Sequence, residues 1–367
     1  MTCEFINDLG LKAPIFQAPM AGVATPAMAA AVSNAGGLGA LGVGASTPEG
    51  AGKAIRETRA LTTRPFNVNV FCHAPALRDN DRERRWIERA RPLFESFGAT
   101  PPAQLREIYS SFPASDAMLE VLLETRPAVV SFHFGLPRPE QIEALRQAGC
   151  RLMATATCLA EARQIAECGL DAIVAQGWGA GGHRGVFDPD ATDEGQSTQA
   201  LTRQLVQEIS LPIIAAGGLM DGADIQHALD WGAAAAQLGT AFIRCPESAA
   251  DEAYRARLVS GEGTVMTRAV SGRPARCLVN RFTAWAEDAD RDEIPAYPNT
   301  YDLGKALNAA AKERGETGFG AQWAGIGKAR GDSLPAGELI LKQEEERRAA
   351  ASAGGHRFGG KAGKTGG

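Results

Sequence analysis

The 367-residue chain lacks the features that mark membrane and secreted proteins. No apolar run reaches the roughly 18 residues that a transmembrane helix requires. The first ten residues contain no basic start followed by an apolar stretch, which argues against a signal peptide. The seven cysteines are scattered, odd in number and form no C-x-x-C pair, which favours reduced thiols in a reducing compartment. These absences predict a cytoplasmic protein with no membrane partner.

Basic clusters and metal-ligand motifs are also missing. The net charge of −5 is spread along the chain and the body holds no basic block, so nucleic acid is not an expected partner. The five histidines lie far apart, and none of them form an H-x-x-x-H pair. We therefore predict no metal site.

What the chain does contain is a regular alternation of short apolar runs and helical patterns, which implies parallel strands. Eight such units fit a closed (β/α)8 or TIM barrel, an α/β fold. A doubly wound open sheet is the alternative, which spacing alone does not exclude. The predicted strands are Ala13–Ala18, Gly37–Leu41, Phe66–Phe71, Ala128–Phe132, Leu152–Ala156, Ala172–Gln176, Ile213–Ala216 and Ala234–Leu238.

The barrel is expected to occupy residues 1–263, with Glu247–Leu258 as its eighth helix. A charged, proline-bearing stretch at 72–115 predicts extra helices after the third strand. Residues 264–345 are rich in Pro, Tyr and Trp, and we expect them to form a cap over the barrel mouth. The Ala-, Gly- and Lys-rich tail, 346–367, is expected to be disordered.

One glycine pattern is misleading. Gly37, Gly39 and Gly42 match G-x-G-x-x-G, but a dinucleotide site needs those glycines between a strand and a following helix. Here they follow the predicted helix Thr25–Ala35, which Thr25 caps and Pro26 begins, and they overlap a strand. We expect them to serve helix termination and tight packing.

Glycines at the carboxyl ends of the last two predicted strands point to an anion site. The seventh strand ends at Gly217 and Gly218, and the eighth ends at Gly239 and Thr240. In such barrels these two loops often hold phosphate, because glycine lets backbone N–H groups approach an anion closely. The Thr240 hydroxyl adds a further donor. The alternative is that both segments are ordinary tight turns between a strand and a helix.

Two histidines lie at or after the carboxyl ends of predicted strands, at the same mouth of the predicted barrel. His183 lies in the glycine-rich segment AQGWGAGGHRG after the sixth strand, where neighbouring glycines would bring the backbone close to a ligand. His133 ends the fourth strand, and its role is open between catalysis and structure. On the third strand, Asn67 and Asn69 share one face by the period of two. Such amides suit the polar edge of an isoalloxazine ring, and Met20 could pack on its face.

The motifs together resemble nitronate monooxygenases, formerly called 2-nitropropane dioxygenases, and in particular their bacterial class I. The matching segments include QAPMAG, FNVNVF, VVSFHFG, AQGWGAGGHRG, AAGGLMDG and QLGTAF. With YDLGKALNAAA…GFGAQWAG they follow the family's order over most of residues 13–325. They lie at Gln17–Gly22, Phe66–Phe71, Val129–Gly135, Ala175–Gly185, Ala215–Gly222, Gln237–Phe242 and Tyr301–Gly325.

This resemblance implies a barrel that binds FMN non-covalently and acts as a monomer or homodimer. It implies oxidation of alkyl nitronates, such as propionate 3-nitronate, by O2 to a carbonyl compound and nitrite. His183 matches the family's catalytic histidine, with His133 as a second catalytic candidate. The expected pocket walls are Tyr109, Tyr254, Tyr301 and Trp323. The expected FMN contacts are Ala18, Pro19, Met20, Asn69, Gln176, Gly181, Gly182, Gly217, Gly218, Gln237, Leu238, Gly239 and Thr240.

The chain departs from the family's pattern at two places. Gly179 stands where the family usually has Glu, and Ile326 and Lys328 lie in a stretch that usually reads GQGA. We expect these differences to affect the pocket or the cap.

Two other functions fit parts of the same pattern. An FMN-dependent NAD(P)H:quinone or enoyl-thioester reductase would use the same barrel, although the SFHFG and AQWAG segments favour the nitronate enzyme. A sugar-phosphate isomerase or aldolase would need no flavin. No predicted strand ends in Lys, Asp or Glu, which disfavours that second alternative.

Overall fold

The computed structural model describes residues 4–260 and 262–358. Its main sheet has eight parallel strands in the order β1-β9-β8-β6-β5-β4-β3-β2. A parallel bridge from Phe16 to Leu38 joins the first and last of them, which confirms a barrel and excludes the open sheet. The strands are β1 Ile15–Gln17, β2 Gly39–Gly42, β3 Phe66–Phe71, β4 Val129–His133, β5 Arg151–Ala156, β6 Ala172–Gln176, β8 Ile213–Ala216 and β9 Ala235–Leu238.

Helices alternate with these strands as predicted. Thr25 caps α2 by accepting a hydrogen bond from the Met28 amide at 3.1 Å, and Pro26 is the first helical residue. The outer helices that follow the barrel strands are α2 Pro26–Asn34, α3 Pro48–Leu61, α5 Asp116–Thr125, α6 Pro139–Gln147, α7 Leu159–Glu167, α8 Thr198–Glu208 and α9 Gly222–Asp230, and a short helix, α1 Glu4–Asp8, precedes β1.

The G-x-G-x-x-G pattern serves packing, as predicted. Gly39 begins β2, directly beneath α2. A Cβ at this position would lie 1.9 Å from the carbonyl oxygen of Ala29, so only glycine lets the helix approach the strand this closely.

The helix predicted at Glu247–Leu258 forms from Glu252 onward, but it is not the eighth outer helix of the barrel. The helix in that region is α10, Glu252–Val259, and it packs with Val23 and Ile243 at the mouth of the barrel. The eighth position outside the barrel is taken by α13, Ala336–Phe358, which packs against α2 and α9. Leu339 and Ile340 are fully buried there. The core-facing residues that decide this arrangement begin 98 residues beyond the eighth strand, counted from Leu238 to Ala336, and local periodicity after that strand does not indicate them.

The prediction of a disordered tail from residue 346 also fails for residues 346–358, which continue α13. Two polar contacts hold this part of the helix to α9. Glu346 Oε2 accepts from the Gly222 amide at 3.0 Å, and Arg347 donates to Gln226 Oε1 at 3.1 Å. Residues 359–367 lie outside the described residues. No helix within 4–260 and 262–358 is long and apolar enough to cross a membrane.

The insertion after β3 and the segment after α10 pack together as a cap. Its helices are α4 Asn80–Ser96, α11 Arg281–Trp285 and α12 Asn299–Glu313. Trp86, Phe282 and Leu303, one from each helix, belong to a hydrophobic core separate from that of the barrel. Burial of such large apolar side chains explains why the two distant segments associate.

A small antiparallel sheet joins this cap to the barrel. It consists of β10 Thr264–Thr267, β11 Ala275–Leu278 and β7 Gly182–His183, in the order β10-β11-β7. Because His183 pairs with Ala275, the loop after β6 is hydrogen-bonded to the cap. The register of this pair therefore fixes the position of His183.

Candidate active site

A cavity of about 460 Å³ opens at the carboxyl ends of the barrel strands, beneath the cap. It is the position at which barrel enzymes place their sites. The predicted site residues that line it are Ala18, Pro19, Met20, Asn69, Tyr109, His133, Gln176, Gly181, Gly182, His183, Gly217, Gly218, Gln237, Gly239, Thr240, Tyr254, Tyr301 and Trp323. Leu238 does not line it. Strand alternation directs the Leu238 side chain into the core behind β9, where it is 1% exposed.

The turns after β8 and β9 offer hydrogen-bond donors to the cavity. Among the described residues, no acceptor is bonded to the backbone N–H groups of Gly218, Gly239 and Thr240. The Thr240 hydroxyl oxygen accepts from the Gly325 amide at 3.0 Å, which leaves its proton free to donate. Such a cluster of N–H and O–H groups fits a phosphate.

The loop after β6 closes on these turns. A Cβ at Gly181 would lie 2.5 Å from the backbone of Ala324, and one at Gly217 would lie 2.9 Å from the amide nitrogen of Ala180. Backbones this close leave no room for side chains between them. The loops after β6, β8 and β9 thus converge on one cavity, as expected from the sequence.

His183 is held from both sides. Its Nε2 lies 2.8 Å from the hydroxyl of Ser271, and its carbonyl oxygen accepts from Gln176 Nε2 at 2.9 Å. The other end of the Gln176 amide accepts from the Gly185 amide at 2.8 Å. Both ends of the Gln176 amide therefore hydrogen-bond to the loop backbone and position it, although Gln176 also lines the cavity. Since Ser271 occupies Nε2, Nδ1 is the ring nitrogen left for a ligand.

Arg184 anchors the same loop beneath the histidine. Its guanidinium is 1% exposed, donates to Asp193 Oδ2 at 2.7 Å, and donates to the carbonyl oxygens of Gln176 and Gly177 at 2.7 and 3.1 Å. A buried arginine with this many partners is well compensated, and removing one partner would be costly.

His133 contacts His183 through the backbone. Its Nδ1 lies 3.0 Å from the Thr155 hydroxyl, and its Nε2 lies 3.3 Å from the carbonyl oxygen of His183. Burial lowers the pKa of His133 to about 4 and the pKa of His183 to about 3. Both imidazoles are therefore neutral at physiological pH, and each can accept or donate one proton through its ring nitrogens.

Aromatic side chains form the wall opposite the glycine turns. The ring of His183 lies 4.8 Å from Trp323 and 6.2 Å from Tyr301, and Tyr301 contacts Tyr109 edge-on at 5.9 Å. The Tyr254 hydroxyl donates to the Trp323 carbonyl. Burial raises the pKa of Tyr109 to about 12, so this phenol is uncharged at neutral pH.

One cation stands at the aromatic wall and was not predicted. The Lys305 ammonium lies 5.1 Å from the Tyr109 ring and 5.6 Å from the Tyr301 ring. Tyr301 and Lys305 are four residues apart on α12 and so share a helix face, which is the signal that could have identified Lys305. Other lining residues that the sequence argument missed are Ser46, Ser131, Phe134, Thr155 and Tyr297.

The two asparagines of β3 lie on one face, as predicted. Both donate to the Ser131 hydroxyl at 2.9 Å, and Asn69 also donates to the Ser131 carbonyl at 3.2 Å. Asn69 lines the cavity, whereas Asn67 lies deeper in the barrel.

The two departures from the family's pattern contact each other outside the cavity. A Cβ at Gly179 would lie 2.8 Å from Ile326 Cδ1, and the Ile326 amide donates to the Gly179 carbonyl at 3.1 Å. Lys328 donates to carbonyls at the end of α10, among them Leu258 and Ser260, both at 3.1 Å. None of these three residues lines the cavity. Within the described ranges no cluster of three or more metal-ligating side chains occurs.

A closed barrel with a capped cavity at the carboxyl ends of its strands, lined by an imidazole, aromatic rings and backbone N–H groups, has the architecture of a (β/α)8-barrel enzyme. The model of the family "Nitronate monooxygenase" matches residues 4–344, and the chain belongs to that family of oxidoreductases.

Curated relatives agree with this assignment. The chain is 59% identical to a nitronate monooxygenase of Paraburkholderia phytofirmans, with 92% of each chain covered. It is 51% identical to one of Pseudomonas aeruginosa, over 93% of this chain and 97% of the relative. Among solved structures it is similar to the nitroalkane oxidase of Streptomyces ansochromogenes, at 38% identity and a TM-score of 0.86. That comparison covers 95% and 99% of the two chains. FabK from Thermotoga maritima shares 26% identity with a TM-score of 0.74, over 98% and 100% of the two chains.

Proposed function

We propose that this chain binds FMN in the cavity and oxidises alkyl nitronates, such as propionate 3-nitronate, with O2 to a carbonyl compound and nitrite. The observation that carries the proposal is that backbone donors and an imidazole meet in one cavity. The N–H groups of Gly218, Gly239 and Thr240, which have no acceptor among the described residues, open onto the same space as His183. The family and its named relatives supply the class of reaction.

The residues present fit an FMN molecule. The donors after β8 and β9 would hold its phosphate, and Asn69 and Met20, which also line the cavity, would contact its ring. When bound, FMN would accept electrons from the substrate and pass them to O2.

The chain's own contribution is to bind and orient an anionic substrate. His183 has Nδ1 available at the cavity and is uncharged, so it could hydrogen-bond a nitronate oxygen or remove the acidic α-proton of a nitroalkane. The Tyr109, Tyr301 and Trp323 rings exclude water around it. Lys305 offers a positive charge to a carboxylate at the outer end of the substrate.

FMN titration followed by substrate addition tests the proposal. The protein should become yellow, with a peak near ~450 nm, and should release nitrite from propionate 3-nitronate under air. A protein that takes up no FMN would contradict the cofactor assignment.

Anaerobic NADH distinguishes the reductase alternative, which uses the same fold and cofactor. We expect the flavin absorbance to persist when NADH is added without O2. Rapid bleaching, together with an absence of nitrite in the aerobic assay, would favour the reductase instead.

A further inference from the structure

Arg273 is a buried cation without a counter-ion. Its side chain is 3% exposed, and no carboxylate of a described residue lies within ion-pair distance of its guanidinium. One terminal nitrogen donates to the Val186 carbonyl, and Nε has no partner within the described ranges. Burying a charge without compensation is costly, so a fold that keeps one usually has a use for it.

This cation and the two histidines, His133 and His183, contact the same aromatic ring, that of Phe134. Its guanidinium carbon is 4.3 Å from the centre of the Phe134 ring. That ring meets His133 at 4.5 Å and His183 edge-on at 5.5 Å. Phe134 itself has a positive φ of 74°, a conformation that is strained for an aromatic residue and that places the ring between the arginine and the imidazoles.

The turn that carries Arg273 is wedged beside His183. Ser271, two residues earlier, provides the hydroxyl that contacts His183 Nε2. A Cβ at Gly272 would lie 2.5 Å from the amide nitrogen of Tyr297, so glycine allows the turn to pass this close. The position of the Arg273 charge is therefore fixed by the same turn that fixes the imidazole.

The charged and titratable groups around His183 either lower its pKa or are uncharged at neutral pH. His133, His73 and Arg273 each disfavour protonation of His183, after the larger effect of burial. The same arginine lowers the pKa of His73 and His133. The nearby phenols, Tyr297 and Tyr301, have raised pKa values and are uncharged at neutral pH.

Two carboxylates act on the charge of Arg273, and both are engaged elsewhere. Glu161 accepts from the Thr157 hydroxyl and from the Phe187 amide, both at 2.8 Å, and Asp188 accepts from the Asp190 amide at 2.8 Å. Arg268, a cation that lowers the pKa of Arg273, has its own partner in Asp190 at 3.6 Å. Burial lowers the pKa of Arg273 only to about 10, so it keeps its proton at neutral pH.

We propose that Arg273 is a positioning residue that supplies a fixed positive charge behind the imidazoles. This charge favours an anionic substrate over its neutral conjugate acid and keeps His183 in the uncharged form. The substrate part rests on the proposed function. The effect on the histidines and on anion binding does not.

The first test is histidine NMR on the FMN-loaded protein, with Arg273→Gln as the neutral variant and Arg273→Lys as its charge-preserving control. Glutamine still offers a donor to the Val186 carbonyl, and Arg273→Met serves as a second neutral variant if the first does not fold. The proton affinities of His73, His133 and His183 should rise about tenfold in the neutral variant and stay near wild type in the lysine variant. Signals from His227, on the outer helix α9, provide the internal reference. Superimposable titration curves in all three proteins would overturn the proposal.

The second test measures binding of nitrate, a planar anion that cannot be oxidised as a nitronate is. Calorimetry should show about tenfold weaker nitrate binding in Arg273→Gln than in wild type, and little change in Arg273→Lys. Equal binding by all three proteins would contradict the proposal. If the histidine and nitrate results hold but nitronates are not oxidised, the proposed function fails and the role of Arg273 stands.

Discussion

At the scale of single residues, the site depends on a histidine that burial keeps neutral. His183 is fixed by Ser271 on one side and by Gln176 through the backbone on the other. Sequence spacing placed His183 and His133 at or just after strand ends, and the family resemblance pointed to Tyr109, Tyr254 and Tyr301. Ser271 and Arg273 were not identified, because they reach the site through a turn of the cap that no strand pattern predicts.

His183→Asn should retain FMN and lose most of the turnover of neutral nitroalkanes. Asparagine preserves a polar group of similar reach but cannot remove the α-proton, so we expect a fall in kcat of about 10²-fold or more. Flavin absorbance and nitrite release, measured on the same preparation, check the two parts separately. Unchanged turnover of a neutral nitroalkane would contradict the role of His183 as a base.

Lys305→Met should weaken selection for a substrate that carries a carboxylate. Lys305 is exposed, so its contribution is limited to about 1 kcal/mol, or roughly a fivefold rise in KM for propionate 3-nitronate. Ethyl nitronate, which lacks the carboxylate, is the matched control substrate, and its KM should not change. An equal effect on both substrates would show that Lys305 does not distinguish them.

At the scale of elements, the barrel strands were predicted to within two residues at each end, because short apolar runs alternate regularly with helical patterns. The eighth outer helix was placed wrongly. The sequence after β9 indicated a helix in the correct region, but that helix packs at the mouth, whereas α13 covers the barrel from the far end of the described chain. Which helix fills a given position is decided by packing between distant segments, which local periodicity does not report.

Gly181→Ala should push the loop after β6 away from the backbone at Ala324. The new methyl group would lie 2.5 Å from the Ala324 backbone, so one of the two segments must move, at a cost of about 1–3 kcal/mol. We expect a lower melting temperature and faster loss of FMN in dialysis.

Gly239→Ala is the control for that experiment. Its Cβ would meet Ala18 Cβ at 3.4 Å and Met20 Sδ at 3.6 Å, which are ordinary contacts, and it should fold with little strain. If Gly181→Ala melted at the wild-type temperature and kept its FMN, the close approach of the β6 loop to Ala324 would not matter for stability or for FMN binding.

At the scale of the whole molecule, buried neutral histidines make the fold sensitive to acid. The pKa of His73 is lowered to about 4, mainly by burial and to a smaller extent by Arg273. In the unfolded chain a histidine has a pKa near ~6.5, so between about pH 6.5 and 4 the unfolded state binds a proton that the native state does not. Stability is therefore full above that window and falls as the pH decreases through it.

His73→Phe should reduce this acid sensitivity, because phenylalanine keeps a ring against Tyr297 and does not titrate. The free energy of unfolding, measured by denaturant titration from pH 7 to pH 4.5, should fall less steeply than in wild type. The difference should be at most about 1.4 kcal/mol per pH unit. Parallel pH dependences in the two proteins would show that His73 titrates alike in the folded and unfolded states.

We propose that the converging glycine turns and His183 form one site for flavin-dependent oxidation of nitronates. Nitrite released from propionate 3-nitronate under air, measured alongside O2 consumption by the FMN-loaded protein, tests it most directly. We expect nitrite to form with consumption of O2, and to disappear when FMN is withheld. Bound FMN with no nitrite formed would contradict the account.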